Sequence, residues 1–250
     1  MKKYLKKKNL KYFLSGLGIL FLLITLGFIL WANTPYQATS EAFDSLQSNE
    51  KYLVNQSQDI VFKPAKEYSS GVIFYPGGRV DPKAYAPLCE YLSEQQHLCV
   101  IVPMPLNLAI FGVDKADEIR KEYPDIHYWV LAGHSLGGSM AARYVQQHLE
   151  DNDIKGLALL ASYSDVDISK AVILVSSFRG TNDGIFVKDT WLNTQKNLPS
   201  KYSTFTEIEG GNHSQFGYYG LQAGDGEATI AHEEQFRIFQ EAIHDMLPGH

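Results

Sequence analysis

The sequence predicts an α/β fold, a mostly parallel central sheet flanked by helices, set behind one N-terminal membrane helix. Short apolar runs alternate with amphipathic stretches from about residue 60 onward, the pattern of strand–helix units around a parallel sheet. Runs such as "VIFY", "CVIV" and "ALLA" are apolar at every position, as expected of strands covered on both faces. At the front, residues 12–32, "YFLSGLGILFLLITLGFILWA", hold no charged residue and match the roughly 20 residues a helix needs to cross a bilayer.

The elements follow in order. Residues 1–11 carry Lys2, Lys3, Lys6, Lys7, Lys8 and Lys11 and no acid; cytoplasmic flanks are the ones enriched in lysine and arginine. The sequence therefore places the N-terminus in the cytoplasm and the rest outside, as a single-pass signal-anchor protein of the cell membrane. A cleaved signal peptide is the competing reading, but its apolar core is about 7–15 residues long and ends at a small-x-small site. Around "WANTPYQATS" the best pair, Tyr36 and Ala38, offers a bulky residue where a small one is needed. Residues 33–50 are polar and aperiodic and read as a tether, leaving 51–250 as the globular domain.

Within that domain "IVFKP" and "GVIFYPGG" are the first strands and "YAPLCEYLSEQQ" is helical. "LCVIVPMP" is a strand, "KADEIRKEY" a helix, "HYWVLAGHS" a strand and "GGSMAARYVQQHLE" a helix. "IKGLALLAS", "AVILVSS" and "YSTFTEIEG" supply the remaining strands, with helical "IFVKDTWLNTQ" between the last two. "ATIAHEEQFRIFQEAIHDML" ends the chain as a long amphipathic helix.

Charge divides at the span. Six of the 22 basic residues precede it and all 28 acidic residues follow it, so the domain carries a net charge of −12. That balance argues against a nucleic-acid or an anionic-lipid partner. Cys89 and Cys99, the two cysteines, lack the paired spacing of a metal site. Cys89 falls in a helical pattern and Cys99 in the next strand, where small buried thiols are common; the expectation is unpaired thiols, no metal and no cofactor.

Ligands of such sheets bind beyond the carboxyl ends of the strands, so the loops after strands carry the chemistry. "GHSLG" puts Ser135 where a strand ends and a helix begins, flanked by Gly133 and Gly137. A nucleophilic serine needs that tight strand-to-helix turn, and the following helix start supplies the Leu136 N–H to an oxyanion. A serine hydroxyl also needs a base. Of the eight histidines, His213 lies in a glycine-rich loop after the last strand. His97 and His127 start strands at the opposite end of the sheet; His148, His232 and His244 sit on helical stretches; His250 is terminal; and His134, beside the serine, points away from it. The base needs an acid to orient it. Asp183, in a turn after the penultimate strand, is the candidate, with Asp165 and Asp167 as rivals. "YPGGRV" after an early strand offers a second oxyanion donor, Gly78, or less favourably Arg79.

These motifs carry a family resemblance. "FYPGGRVDPKAYAPL", "VPMPLNLAIF", "GHSLGG", "GTNDGI" and "GGNHSQFGYYGLQAGDGEA" together resemble the small bacterial branch called alpha/beta hydrolase family 5, over about residues 59–247. The resemblance implies the α/β-hydrolase fold, and the order Ser135, Asp183, His213 is the order of triad members in that fold. Dienelactone hydrolases of the superfamily have a cysteine nucleophile; Ser135 departs from them and gives no support to a lactone-specific role. Lids in the superfamily are often inserted after the strand ending "LALLAS", where only residues 162–170 intervene here. No cap domain is expected, and "PLNLAIF" and "SQFGYYG" are the expected walls of an open site. Arg79, His134 and Phe216 are candidate substrate contacts.

The sequence therefore points to a serine hydrolase that cleaves an ester or related acyl bond of a small substrate, through an acyl-enzyme, outside the cytoplasm. Acyl transfer to another alcohol, or peptide cleavage, would use the same residues. A binding domain that keeps the fold without catalysis is the alternative of a different class.

Overall fold

A computed structural model of the chain describes residues 2–249, with side chains described for 12–249; the lysine side chains of the 1–11 segment lie outside the described residues. The elements are α1 (Lys2–Ala32), α2 (Ser40–Asp44), β1 (Tyr52–Asn55), β2 (Ile60–Pro64), β3 (Gly71–Tyr75), α3 (Ala86–Glu94), β4 (Leu98–Ile101), α4 (Lys115–Glu122), β5 (Trp129–His134), α5 (Leu136–Gln147), β6 (Ile154–Leu160), β7 (Leu174–Gly180), α6 (Lys188–Thr194), β8 (Ser203–Ile208) and α7 (His232–His244). Eight strands form one sheet in the order β1-β2-β4-β3-β5-β6-β7-β8. β2 runs antiparallel to both β1 and β4; from β4 onward every pairing is parallel.

The central strands β3, β4 and β5 are buried at every residue, which is why their sequences do not alternate. Two apolar clusters lie on the two faces. One packs α3 and α7 on the sheet through Leu88, Leu92, Phe236 and Phe239; the other packs α4 and α5 through Ile119, Met140 and Val145. The connection from β6 to β7, residues 161–173, contains no helix, so no cap is built there.

Three features depart from the sequence expectation. β1 is an additional edge strand, too short to announce itself by periodicity. Cys89 and Cys99 are joined in a disulfide, which links α3 to the strand that follows it. Residues 33–50 are not a loose tether. Tyr36 pairs in parallel with Val80, Thr39 donates its N–H to Tyr218 O, and Ala42 and Leu46 are buried. The polar composition hid this because the contacts are mostly made by backbone.

The apolar part of α1, Tyr12–Ala32, has a mean hydropathy of 2.5 and is exposed along its length except at Ala32, which is buried. Its 21 residues span about 32 Å at 1.5 Å per residue, enough for a hydrocarbon core of about 30 Å. It is a candidate transmembrane segment. At its end Asn107 Nδ2 donates to Ala32 O at 2.9 Å.

Candidate active site

β5 delivers Ser135 into a turn with φ 51° and ψ −121°, a backbone conformation costly for any residue with a side chain. The flanking glycines make the turn possible. A Cβ on Gly137 would lie 2.1 Å from Tyr75 O, and one on Gly133 would lie 2.6 Å from the backbone of Gly137. The start of α5 is thus pressed against the end of β3, and the serine is lifted to the carboxyl edge of the sheet. Ser135 N–H donates to Leu160 O at 2.9 Å, and Ser162 Oγ donates to Ser135 O at 2.7 Å. These bonds hold the turn from the β6 side.

Across the edge, Asp183 follows β7 and His213 follows β8. Asp183 Oδ2 lies 2.9 Å from His213 Nδ1, in a pair whose side chains are almost completely buried. The other carboxylate oxygen accepts N–H bonds from Ile185 at 2.9 Å and Phe186 at 2.7 Å. These bonds offset the cost of burying a carboxylate and fix its direction. His213 Nε2 is buried and makes no hydrogen bond among the described residues. A hydrogen bond donated from Nδ1 to Asp183 leaves Nε2 as the lone-pair nitrogen of the neutral ring. Ser135 and His213 line one cavity of about 270 Å³, with Leu136, Ala161, Tyr163 and Phe186 among its walls. The rival acids are engaged elsewhere: Asp165 pairs with Arg143, and Asp167 accepts the Ser169 N–H.

The loop after β3 offers three consecutive backbone N–H groups, and two are spoken for. Gly77 N–H donates to the Tyr85 hydroxyl at 3.0 Å, and Arg79 N–H donates to Asn107 O at 2.7 Å. Gly78, between them, makes no hydrogen bond among the described residues, and its Cα faces Leu136: a Cβ there would lie 3.3 Å from Leu136 Cδ2. The two candidate oxyanion donors, Gly78 and Leu136, are therefore neighbours.

The candidate substrate contacts stand differently. Arg79, in the left-handed region at φ 57°, turns its guanidinium away to Thr34 O at 2.7 Å and over the Trp31 ring at 4.3 Å. It holds the end of α1 and does not line the Ser135 cavity. Phe216 is wholly buried against Phe239, a core position with no surface to offer. His134 lies under the site, its Nδ1 2.9 Å from the Tyr85 hydroxyl and its ring centroid 4.6 Å from that of His213. Burial, and then His213 itself, push its pKa well below the usual histidine range. A neutral His134 adds no positive charge beside the His213 ring.

Three further residues shape the site without having been singled out from sequence. Asp225 accepts N–H bonds from Gly184 at 3.1 Å, His213 at 3.3 Å and Ser214 at 2.8 Å, tying the Asp183 loop to the His213 loop. Its only sequence signal is an acid between two glycines in a long loop. Gln235, buried on α7, exchanges two 2.9 Å bonds with the backbone of Asn212. Tyr85 holds both Gly77 and His134. The described residues contain no group of histidine, cysteine or acidic side chains able to hold a metal.

Known proteins share this architecture. A putative hydrolase of Agrobacterium vitis S4 superposes with a TM-score of 0.59 at 15% identity, covering 78% of this chain and 97% of that one. The butyrate-bound esterase Est2 of the planctomycete Thermogutta terrifontis gives 0.56 at 16% identity, covering 75% and 88%. A monoacylglycerol lipase of Paleococcus ferrophilus gives 0.55 at 15% identity, covering 71% and 95%. No curated protein matches the chain. The sequence profile of the alpha/beta hydrolase family matches residues 71–237, about two thirds of the chain and every candidate residue of the site. The chain belongs to the alpha/beta hydrolase family.

Proposed function

We propose that the protein is a serine hydrolase that cleaves carboxylic esters or related acyl bonds, held by α1 in the cell membrane with its catalytic domain outside the cytoplasm. The observation that carries the reading is the cavity shared by Ser135, on its strained turn, and by His213, whose second nitrogen is bonded to Asp183. Ser135 Oγ attacks the carbonyl carbon while His213 Nε2 takes its proton. The resulting oxyanion is held by the N–H groups of Leu136 and Gly78, and Asp183 stabilises the imidazolium. Collapse breaks the bond to the leaving alkoxide, which takes the proton back from His213. Water then repeats the sequence on the acyl-enzyme and frees Ser135 with the carboxylic acid.

His213 Nε2 and Ser135 Oγ are not hydrogen-bonded in this structure; catalytic bonds of this kind often tighten only in the complex with substrate. Esters are favoured over amides as substrates by the structural neighbours, which include an esterase and a monoacylglycerol lipase. The lysines of the first segment favour an outward-facing domain, as does the Cys89–Cys99 disulfide, since such bonds persist in oxidising compartments.

The test is a panel of p-nitrophenyl esters of graded acyl length, assayed with the full chain in detergent beside Ser135→Ala. The expected outcome is turnover of at least one ester by the native chain, lost with Ser135→Ala. Activity that survives in Ser135→Ala would assign the chemistry to another group. Turnover that appears only when an acceptor alcohol is added would move the reading to an acyltransferase.

A further inference from the structure

The end of α1 is fastened to the catalytic edge of the sheet. Trp31 lies under the Arg79 guanidinium at 4.3 Å, Ala32 O accepts from Asn107 at 2.9 Å, and Thr34 O accepts from Arg79 at 2.7 Å. Arg79 is the residue next to the candidate oxyanion donor Gly78. No slack separates helix from site, because Tyr36 N–H already donates to Arg79 O at 2.7 Å. A membrane helix that stops at a tryptophan places that ring at the lipid–water interface, so Gly78 lies one residue from a side chain touching the interface.

The same edge presents lipid-compatible side chains. Residues 103–113, "PMPLNLAIFGV", hold no charge in a domain of net charge −12. Ile110 and Phe111 are 52% and 53% exposed, and they lie three and four residues from Asn107, within about 14 Å of it by chain reach. Leu108 sits beside the oxyanion loop: a Cβ on Gly78 would lie 3.6 Å from its Cδ2. Single exposed apolar residues are ordinary, but an uncharged apolar segment adjoining the exit of a membrane helix is a surface made for lipid.

We propose that the catalytic face is seated on the bilayer that holds α1, with the segment around Ile110 and Phe111 dipping into the interface, and that the substrates are fatty-acyl esters of membrane lipids entering from that side. The inference rests on the anchored-hydrolase reading and names its substrate class. The apolar walls of the Ser135 cavity, Leu136, Ala161 and Phe186 among them, suit an acyl chain.

The experiment uses the full chain reconstituted in phosphatidylcholine vesicles. Because Cys89 and Cys99 are paired, Ile110→Cys provides one reactive thiol for an environment-sensitive NBD fluorophore. Val172→Cys is the control, 79% exposed and just before β7, about 23 Å of strand from the catalytic edge. The label at 110 is expected to shift to the blue and resist an aqueous quencher, while the label at 172 stays water-like. In parallel, a fluorogenic long-chain acylglycerol is supplied either in the same vesicles as the protein or in a separate population, beside a water-soluble butyrate ester. Hydrolysis is expected to be at least tenfold faster in the shared bilayer. A water-like label at 110, or equal rates for the two vesicle arrangements with the butyrate ester still turned over, would overturn the seating while leaving the hydrolase reading intact. Loss of Ser135-dependent turnover of every ester would overturn the hydrolase reading and this inference with it.

Discussion

Ser135 occupies a backbone conformation that costs on the order of 1–3 kcal/mol, and the contacts around it exist to hold it there. Asp183→Asn keeps the shape of the neighbouring acid but supplies a side-chain amide where His213 Nδ1–H needs an acceptor. Steady-state kinetics should show kcat falling on the order of 10⁴-fold with the thermal midpoint little changed; an unchanged kcat would remove Asp183 from the site. Asp225→Asn weakens the shared acceptor of Gly184, His213 and Ser214. A drop in kcat of roughly 10- to 100-fold is expected, as for a small misplacement of the base, with a smaller change in KM. His134 gives a pH signature. Its native pKa lies well below the ordinary histidine value, so below pH about 6.5 the unfolded chain takes up a proton that the native chain refuses. Stability from this group is present above that pH and declines as pH falls beneath it, by up to about 1.4 kcal/mol per pH unit. Urea unfolding of His134→Gln between pH 7 and pH 5 should show a shallower acid decline than the native chain; parallel declines would refute the assignment.

At the scale of elements, the segment after α1 acts as a strap across two loops of the site. Tyr36 pairs with the Arg79–Asp81 stretch through bonds of 2.7 and 2.9 Å, and its hydroxyl accepts the Ala223 N–H in the loop beyond His213. Tyr36→Pro deletes the donor to Arg79 O and should loosen Gly78, lowering kcat about tenfold, less than the roughly 10²- to 10³-fold seen when one oxyanion donor is lost outright. Unaltered kcat would show that the strap is merely a connector. The Cys89–Cys99 bridge closes a short loop between α3 and β4, and its removal in Cys89→Ser should cost about 2–3 kcal/mol, read as a lower urea midpoint. Alkylation of either cysteine in unreduced protein would contradict the pairing.

What sequence made legible follows from how each element is built. The buried strands declare themselves by unbroken apolar runs, and each candidate triad member follows its own strand, so Ser135, Asp183 and His213 stand at the same edge on topology alone. Residues whose role depends on meeting a distant partner were not legible. Asp225 and Gln235 act through backbone groups far along the chain, Tyr85 reaches the distant His134 ring, and the docking of Tyr36 to Arg79 and Asp81 is written in N–H and C=O groups common to any sequence. Arg79 sits beside the oxyanion loop in sequence, yet its side chain answers to Trp31 and Thr34.

For the molecule as a whole, the lysine-rich start precedes the candidate span in sequence and the acidic domain follows it. Protease added to spheroplasts should digest the domain and spare a cytoplasmic control protein; a protected domain would reverse the orientation. The chemistry at Ser135 underlies every other expectation, and it is tested most directly by an active-site label. Full-length protein treated with a fluorophosphonate under native conditions and mapped by peptide mass spectrometry should carry one adduct, on Ser135. The adduct should be absent in Ser135→Ala and formed far more slowly in His213→Gln. Absence of a native adduct, an adduct on another residue, or equal labelling of denatured protein would show that Ser135 is not an activated nucleophile.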